Sequence, residues 1–263
     1  MKAITRLLSF AALFLVACGA PPAPPKTAET SPAKLTVAVA ASMRYAFEEV
    51  AAAFAKEHPD VTIEPTFGAS GTFYAQLVQK APFDLFLSAD TEYPDKLVTD
   101  GLSRESFPYA TGRLVLWAPK AAGLDLATRG LKALTDPRVS KISIANPELA
   151  PYGRAAEQAM KSLGADEGIR AKLAKAENVG QAAQFVQSGA AQAGFFAYSL
   201  TFTKEMKDAG DLWLVPETAH DPILQSGVIL SGTAHPEAAE AFREYLTGPQ
   251  GRTILAKHGF GAP

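Results

Sequence analysis

The chain has 263 residues, with 25 Lys and Arg against 27 Asp and Glu, a formal net charge of −2 and a single cysteine. The balance contains no basic run, which excludes nucleic acid as a partner, and one cysteine excludes a disulfide framework.

The first residues read as an export signal. Lys2 and Arg6 precede a short apolar run, Leu7 to Val16, too short to span a bilayer but right for a secretory leader over 1–17. Leu15-Val16-Ala17-Cys18 resembles the lipobox of bacterial lipoproteins, which implies cleavage before Cys18 and lipidation of that residue. Two of the 25 basic residues lie in the leader, leaving 23 against 27 acidic ones, a mildly acidic mature chain. The stretch "GAPPAPPKTAETSP" has almost nothing to bury and too much proline for regular structure, so 18–33 reads as a tether. The protein is therefore expected at the cell surface or in the periplasm, held to the membrane by its lipid alone.

About 230 residues remain, enough for two α/β domains. "KLTVAVAA" (34–41) reads as a buried strand, followed by Ser42 and a helix that ends before His58-Pro59. "VTIEPTF" (61–67) is a second strand, 71–80 a second helix and "FDLFLSA" (83–89) a third strand. This β-α-β-α-β order with short joints calls for a parallel sheet with right-handed crossovers. The pattern resumes with strands at 113–119 and 141–147, a helix from about Arg154 to Leu163 stopped by Gly164, a helix over 180–188 and a strand at 193–198. A late strand at 227–230 and a helix at 236–246 are left over. The expected organisation is one domain over 34–112 and 226–263 and a second over 113–225, the chain crossing between them twice.

Ser42 and Ser70 occupy equivalent places, each after a strand and before a helix. A serine there caps the helix, its oxygen accepting an unpaired backbone N–H. Two of them at the carboxyl edge of one parallel sheet also mark where open α/β sheets bind ligands. Helix N-termini at that edge present N–H groups and partial positive charge to an anion. "APYGRAA" (150–156) and "ENVGQAAQFV" (177–186) repeat the arrangement. Tyr152, Gly153 and Arg154 offer N–H groups at the first, with Gly153 allowing close approach; Val179 and Gly180 open the second helix. Four such starts, two from each half, converge on a small anion held by hydroxyls and N–H groups.

The segments "LTVAVAAS", "FGASGTFYAQ", "APFDLFLSAD", "ANPELAPYGRAA", "AENVGQAAQFV" and "YLTGPQGRTILAKHGF", in order from Leu35 to Phe260, resemble the periplasmic molybdate-binding proteins of ABC importers. The resemblance implies a type II periplasmic-binding fold, α/β throughout, with two domains of parallel-rich sheets joined by two crossovers. It implies a monomer that delivers molybdate or tungstate to a permease, with no cofactor and no bound metal cation. The ligand positions it implies are Ser42, Ser70, Tyr152 and Val179, with Ala41 as a backbone neighbour. Some members place a tyrosine hydroxyl where this chain has Ala197. Tyr198 is one residue along, on the opposite face of a strand, so it is expected not to be a ligand.

A shell of donors suits molybdate, tungstate and sulfate, which at neutral pH are dianions that only accept hydrogen bonds. Phosphate keeps a proton and needs an acceptor, yet none of these positions is Asp or Glu. Sulfate differs only in size, so a sulfate receptor of the same fold is the alternative. A hydrolase is excluded because "GASGT" is no nucleophile elbow and none of His58, His220, His235 and His258 stands in a triad pattern. An amino-acid receptor would want an Arg for the carboxylate; Arg154 is expected to turn outward on its helix. Asp90 reads as a turn residue, and no metal motif is present.

Overall fold

The computed structural model describes residues 32–165 and 167–263. The leader 1–17, Cys18 and the tether up to residue 31 lie outside the described residues. Among those described, no helix is long and apolar enough to cross a membrane.

In chain order the strands are β1 (Ala33–Ala40), β2 (Val61–Gly68), β3 (Leu85–Leu87), β4 (Ser103–Gly112), β5 (Leu114–Pro119), β6 (Ile142–Ala145), β7 (Leu173–Ala176), β8 (Ala193–Ala197), β9 (Gly210–Leu214) and β10 (Ile223–Leu230). The helices are α1 (Arg44–Glu57), α2 (Ser70–Val78), α3 (Glu92–Thr99), α4 (Leu126–Arg129), α5 (Pro151–Ser162), α6 (Glu167–Arg170), α7 (Val179–Gln187), α8 (Lys204–Ala209), α9 (Pro236–Thr247) and α10 (Pro249–Lys257). They build two five-stranded sheets, ordered β2-β1-β3-β10-β4 and β7-β6-β8-β5-β9. The chain leaves the first sheet at Arg113 and returns to it at Ile223, which makes two α/β domains joined by two crossovers.

Each sheet is mixed. The parallel cores β2-β1-β3 and β7-β6-β8 follow the βαβαβ order. β10 is antiparallel to β3 and β4, and β5 is antiparallel to β8 and β9. Strands β4, β7 and β9 lack the apolar run or alternation that marks a strand in sequence. β4 carries Pro108 where its pairing with β10 shifts register at Gln225/Ser226, an irregularity that tolerates a residue with no N–H. β10 begins four residues before the apolar "GVIL", because Gln225 and Ser226 are polar yet buried.

Register decides what the sheet edges present. In β1 and β2, Ala40 lies opposite Gly68, so the turns carrying Ser42 and Ser70 leave the same edge side by side. In β6 and β7, Ala145 lies opposite Ala176, and the chain enters α5 and α7 from that common edge. One apolar cluster fills the face of the first sheet under α1 and α9, with the Phe47 and Phe242 rings 5.6 Å apart. A second, around Phe73, Leu77, Phe86 and Leu97, fills its other face. Burying each such side chain is worth about 1.5–3 kcal/mol. The largest cluster belongs to the second domain but includes Ala40, Ala41, Ala69 and Ala89 from the first, so the sheet edges meet through small residues.

Candidate functional site

Each of the expected residues stands at a helix or turn start on one of these two sheet edges. Ser42 lies in a short 3-10 turn over Ala41–Met43 and is 1% exposed. Its hydroxyl does not cap α1, and its Oγ makes no hydrogen bond of regular geometry among the described residues, though it lies close enough to the Tyr152 hydroxyl to act on that phenol. The second domain grips the backbone of the same residue: Ser199 Oγ donates to the Ser42 carbonyl at 2.7 Å.

Ser70 is not an N-cap either. Ala69 holds that place and Ser70 is the first residue of α2. Its Oγ accepts the Ala89 N–H at 3.0 Å, a fully buried bond. With its oxygen engaged, the serine retains a proton to donate.

On the other side, Tyr152 sits one residue into α5 and is 2% exposed. Its hydroxyl hydrogen-bonds the Gln225 side-chain amide at 3.0 Å. Burial pushes the phenol well above its usual pKa, with Gln225 and the neighbouring Ser42 hydroxyl opposing the shift; it remains a neutral donor at any physiological pH. The N–H groups of Gly153 and Arg154, candidates from sequence, both turn back to the Ala150 carbonyl, at 2.9 and 3.2 Å. Gly153 is required for packing rather than for ligand approach: a Cβ there would collide with the Ala145 carbonyl at the end of β6. Only the Tyr152 N–H of that trio lacks this local acceptor.

Val179 is the first residue of α7 and is buried. Asn178 caps the helix by accepting Gln181 N–H at 3.0 Å, which leaves the N–H groups of Val179 and Gly180 with no acceptor inside the helix. Ala41 faces this turn, with its Cβ 3.4 Å from where a Cβ on Gly180 would stand. Tyr198 begins a 3-10 turn after β8 has ended, and its ring packs on Phe202 at 4.8 Å between centroids.

The expectation that Arg154 turns outward is overturned. It crosses between the domains and pairs with Asp90, with Glu92 3.7 Å away, and its guanidinium lies 5.7 Å from the centre of the Tyr93 ring. Asp90 is a turn residue as expected, but one held by three partners. Its Oδ1 accepts from Ser88 Oγ at 2.8 Å and from Tyr93 N–H at 3.3 Å, and its Oδ2 takes Arg154. Burial raises its pKa, against the pull of these partners. Nearby, Gly71 N–H donates to the Leu149 carbonyl at 2.8 Å, a backbone bond from one domain to the other.

Sequence reasoning missed a buried polar string behind the cleft. Gln225, 0% exposed, reaches Tyr152 with one end of its amide, while Tyr109 Oη lies 3.0 Å from the other end and 2.6 Å from the Ser88 carbonyl, the shorter of the two contacts and the better acceptor for its one proton. No cluster of His, Cys, Asp and Glu able to hold a metal ion occurs among the described residues.

Residues 35–261 match the family model described as bacterial extracellular solute-binding protein. The molybdate-binding protein ModA of Rhodobacter capsulatus is 38% identical over 86% of this chain and 88% of its own length. A putative ABC transporter substrate-binding lipoprotein of Bacillus subtilis, YvgL, is 28% identical over 95% of this chain and 94% of its own. The solved periplasmic molybdate-binding protein of Azotobacter vinelandii superposes with a TM-score of 0.81 at 35% identity, covering 87% of this chain and 99% of that one.

Proposed function

The chain belongs to the bacterial extracellular solute-binding protein family, and from that premise we propose that it is the molybdate receptor of an ABC importer. It is a binding protein and not an enzyme. The ligand sits between the Ser42 and Ser70 hydroxyls, the Tyr152 hydroxyl or N–H and the Val179 N–H, with Ala41 as backbone neighbour. The domains that close on it are those expected from sequence, with the second crossover at the start of β10: 34–112 with 223–263, and 113–222. Tungstate, of the same charge and nearly the same size, shares the site. The lipobox-like Cys18 tethers a monomeric receptor beside its permease.

The observation that carries this reading is the buried Ser42 hydroxyl, without a hydrogen bond of regular geometry, beside a neutral phenol and a helix start. A buried polar group left poorly satisfied costs up to about 3 kcal/mol, a cost that an anion at this point removes. None of the proposed ligand positions is acidic, and Asp90 is already held by Ser88, Tyr93 and Arg154. The shell so offers no ready acceptor for a phosphate proton and discriminates by donor count as well as size.

The test is a thermal-shift titration of the soluble domain with molybdate, tungstate, sulfate and phosphate. A ligand at a hundred times its dissociation constant stabilises by about 2.7 kcal/mol. Stabilisation by molybdate and tungstate, and none by phosphate, is the expected result. A response to sulfate alone would make this a sulfate receptor, and a flat response to all four would overturn the oxyanion reading.

A further inference from the structure

We propose that Ser199 is a positioning residue of the anion site: from the second domain it holds the Ser42 backbone, and so sets where the Ser42 hydroxyl stands before an anion arrives. The inference rests on the assignment of Ser42 to the anion shell.

The bond that carries it has one possible direction. Ser199 Oγ lies 2.7 Å from the Ser42 carbonyl oxygen, a buried contact between residues 157 apart. A carbonyl has no proton to give, so the serine donates. Its one proton is spent there, and Ser199 is therefore not itself a donor to the anion. At Ser42 the hydroxyl lacks a hydrogen bond of regular geometry to fix it. A single torsion separates Oγ from the backbone, with three staggered positions, so Oγ goes where the turn Ala41–Met43 is held. That turn is closed by Arg44 N–H to the Ala41 carbonyl, and Ser199 anchors it from the other domain.

Ser199 is itself well seated. It is buried in the 3-10 turn Tyr198–Phe202 that follows β8. Tyr198 N–H donates to the Arg113 carbonyl at 2.9 Å, beside the first crossover, and Thr201 Oγ1 donates to the Tyr198 carbonyl at 2.8 Å. The turn also rests on the end of the chain: a Cβ on Gly259 would stand 2.6 Å from the Phe202 ring and 2.8 Å from the Tyr198 ring. A turn that follows a strand of the second domain is thus packed on the first at Ser42 and at Gly259, and Ser199 makes the polar contact of the two.

A double-mutant cycle with Ser42→Ala separates positioning from a merely structural role, because a link that only held the domains together would cost the same whether or not the Ser42 hydroxyl is present. Molybdate affinity is measured by calorimetry for wild type, Ser199→Ala, Ser42→Ala and the double variant. Ser199→Ala is expected to weaken molybdate about fivefold in the wild-type background and less than about twofold in the Ser42→Ala background. Ser199→Thr, which keeps the donor, should bind within about twofold of wild type, and so should Thr201→Val, which breaks a bond of the same turn without touching Ser42. Equal losses in both backgrounds, unchanged affinity in Ser199→Ala, or an equal loss in Thr201→Val would overturn the proposal. If Ser199→Ala does not fold, Ser199→Cys takes its place in the cycle, close in size and only a weak donor. Wild-type affinity in Ser42→Ala would remove the premise and the proposal with it. Failure of wild type to bind molybdate would instead overturn the functional assignment, so the two failures are told apart by the first titration.

Discussion

Ser42 and Ser70 look alike in sequence, yet their surroundings predict opposite stability effects when each is changed to alanine. Ser70 Oγ accepts the buried Ala89 N–H at 3.0 Å. Ser70→Ala orphans that N–H, at about 1–3 kcal/mol. For a domain of this size each kcal/mol lowers the melting temperature by about 2–4 °C, so the ligand-free variant should melt several degrees below wild type. Ser42→Ala orphans no buried backbone donor and removes a hydroxyl that is itself poorly satisfied, so the ligand-free melting temperature should stay the same or rise by a few degrees. With molybdate present the two converge. Each loses a hydrogen bond to a charged group, about 1.5–3 kcal/mol, or roughly ten- to a hundredfold in affinity. At a ligand concentration a hundred times the wild-type dissociation constant, a tenfold loss reduces the stabilisation from about 2.7 to about 1.4 kcal/mol. Differential scanning fluorimetry with and without molybdate reads both quantities in one plate. Equal destabilisation of the ligand-free variants, with affinity retained in both, would show that the hydroxyls are structural and refute the site.

Three further outcomes are expected. Gly112→Ala places a methyl against Tyr152 Oη and Gln225 Nε2 and should lower molybdate affinity at least tenfold by calorimetry, whereas a wild-type-like value would mean the string can shift without loss. Arg154→Gln removes the cation from Asp90 and should destabilise by about 1–3 kcal/mol in chemical denaturation; the double variant with Asp90→Asn should recover most of it, and no recovery would show that the pair is not coupled. Burial holds Tyr109 and Tyr152 well above the ordinary phenol pKa of 10, so the unfolded chain loses these protons first as pH rises. Their contribution is intact below about pH 10 and falls above it by up to about 1.4 kcal/mol per pH unit for each phenol. Tyr109→Phe should make the decline of the melting temperature between pH 10 and 11 shallower, and an unchanged slope would refute the assignment.

The sequence made the sheet cores and their edges legible because strand, serine and helix follow one another within a few residues. Ser42, Ser70 and Val179 are positioned by that local order, and a reader of the chain can find them. Tyr152 is different: its place at the start of α5 is local, but the role of its hydroxyl was suggested only by resemblance. Gln225, Tyr109 and the Arg154–Asp90 pair were not legible at all. The partners stand 73, 116 and 64 residues apart, and no periodicity links residues at such separations. A buried Gln in "ILQSGVIL" reads as a break in an apolar strand, which is why β10 was expected to start later than it does. Arg154 was misjudged for a similar reason, since helical spacing gives a direction relative to its own helix and not to a second domain.

What remains is the question of which contacts hold the domains together and which let them part. Among the described residues the direct polar links across the opening include Gly71 N–H to the Leu149 carbonyl, Ser199 to the Ser42 carbonyl, Gln225 to Tyr152, Tyr93 Oη to the Glu148 carbonyl, and Arg154 to Asp90 and Glu92. The ion pair is the most conspicuous of them. Burial raises the Asp90 pKa despite the bonds from Ser88, Tyr93 and Arg154. A carboxyl whose folded pKa is raised adds stability only below its unfolded pKa, and loses that contribution as pH rises through the folded value. At neutral pH the burial of its charge therefore costs the folded chain stability, which the bond from Arg154 partly offsets. The apolar contact at the edges is made by alanines 40, 41, 69 and 89, which bury little area each. At the proposed site a bound dianion would favour closure by engaging donors from both domains at once, because Ser42 and Ser70 belong to one edge and Tyr152 and Val179 to the other. A receptor that releases its cargo to a permease would then open again once those hydrogen bonds are broken together.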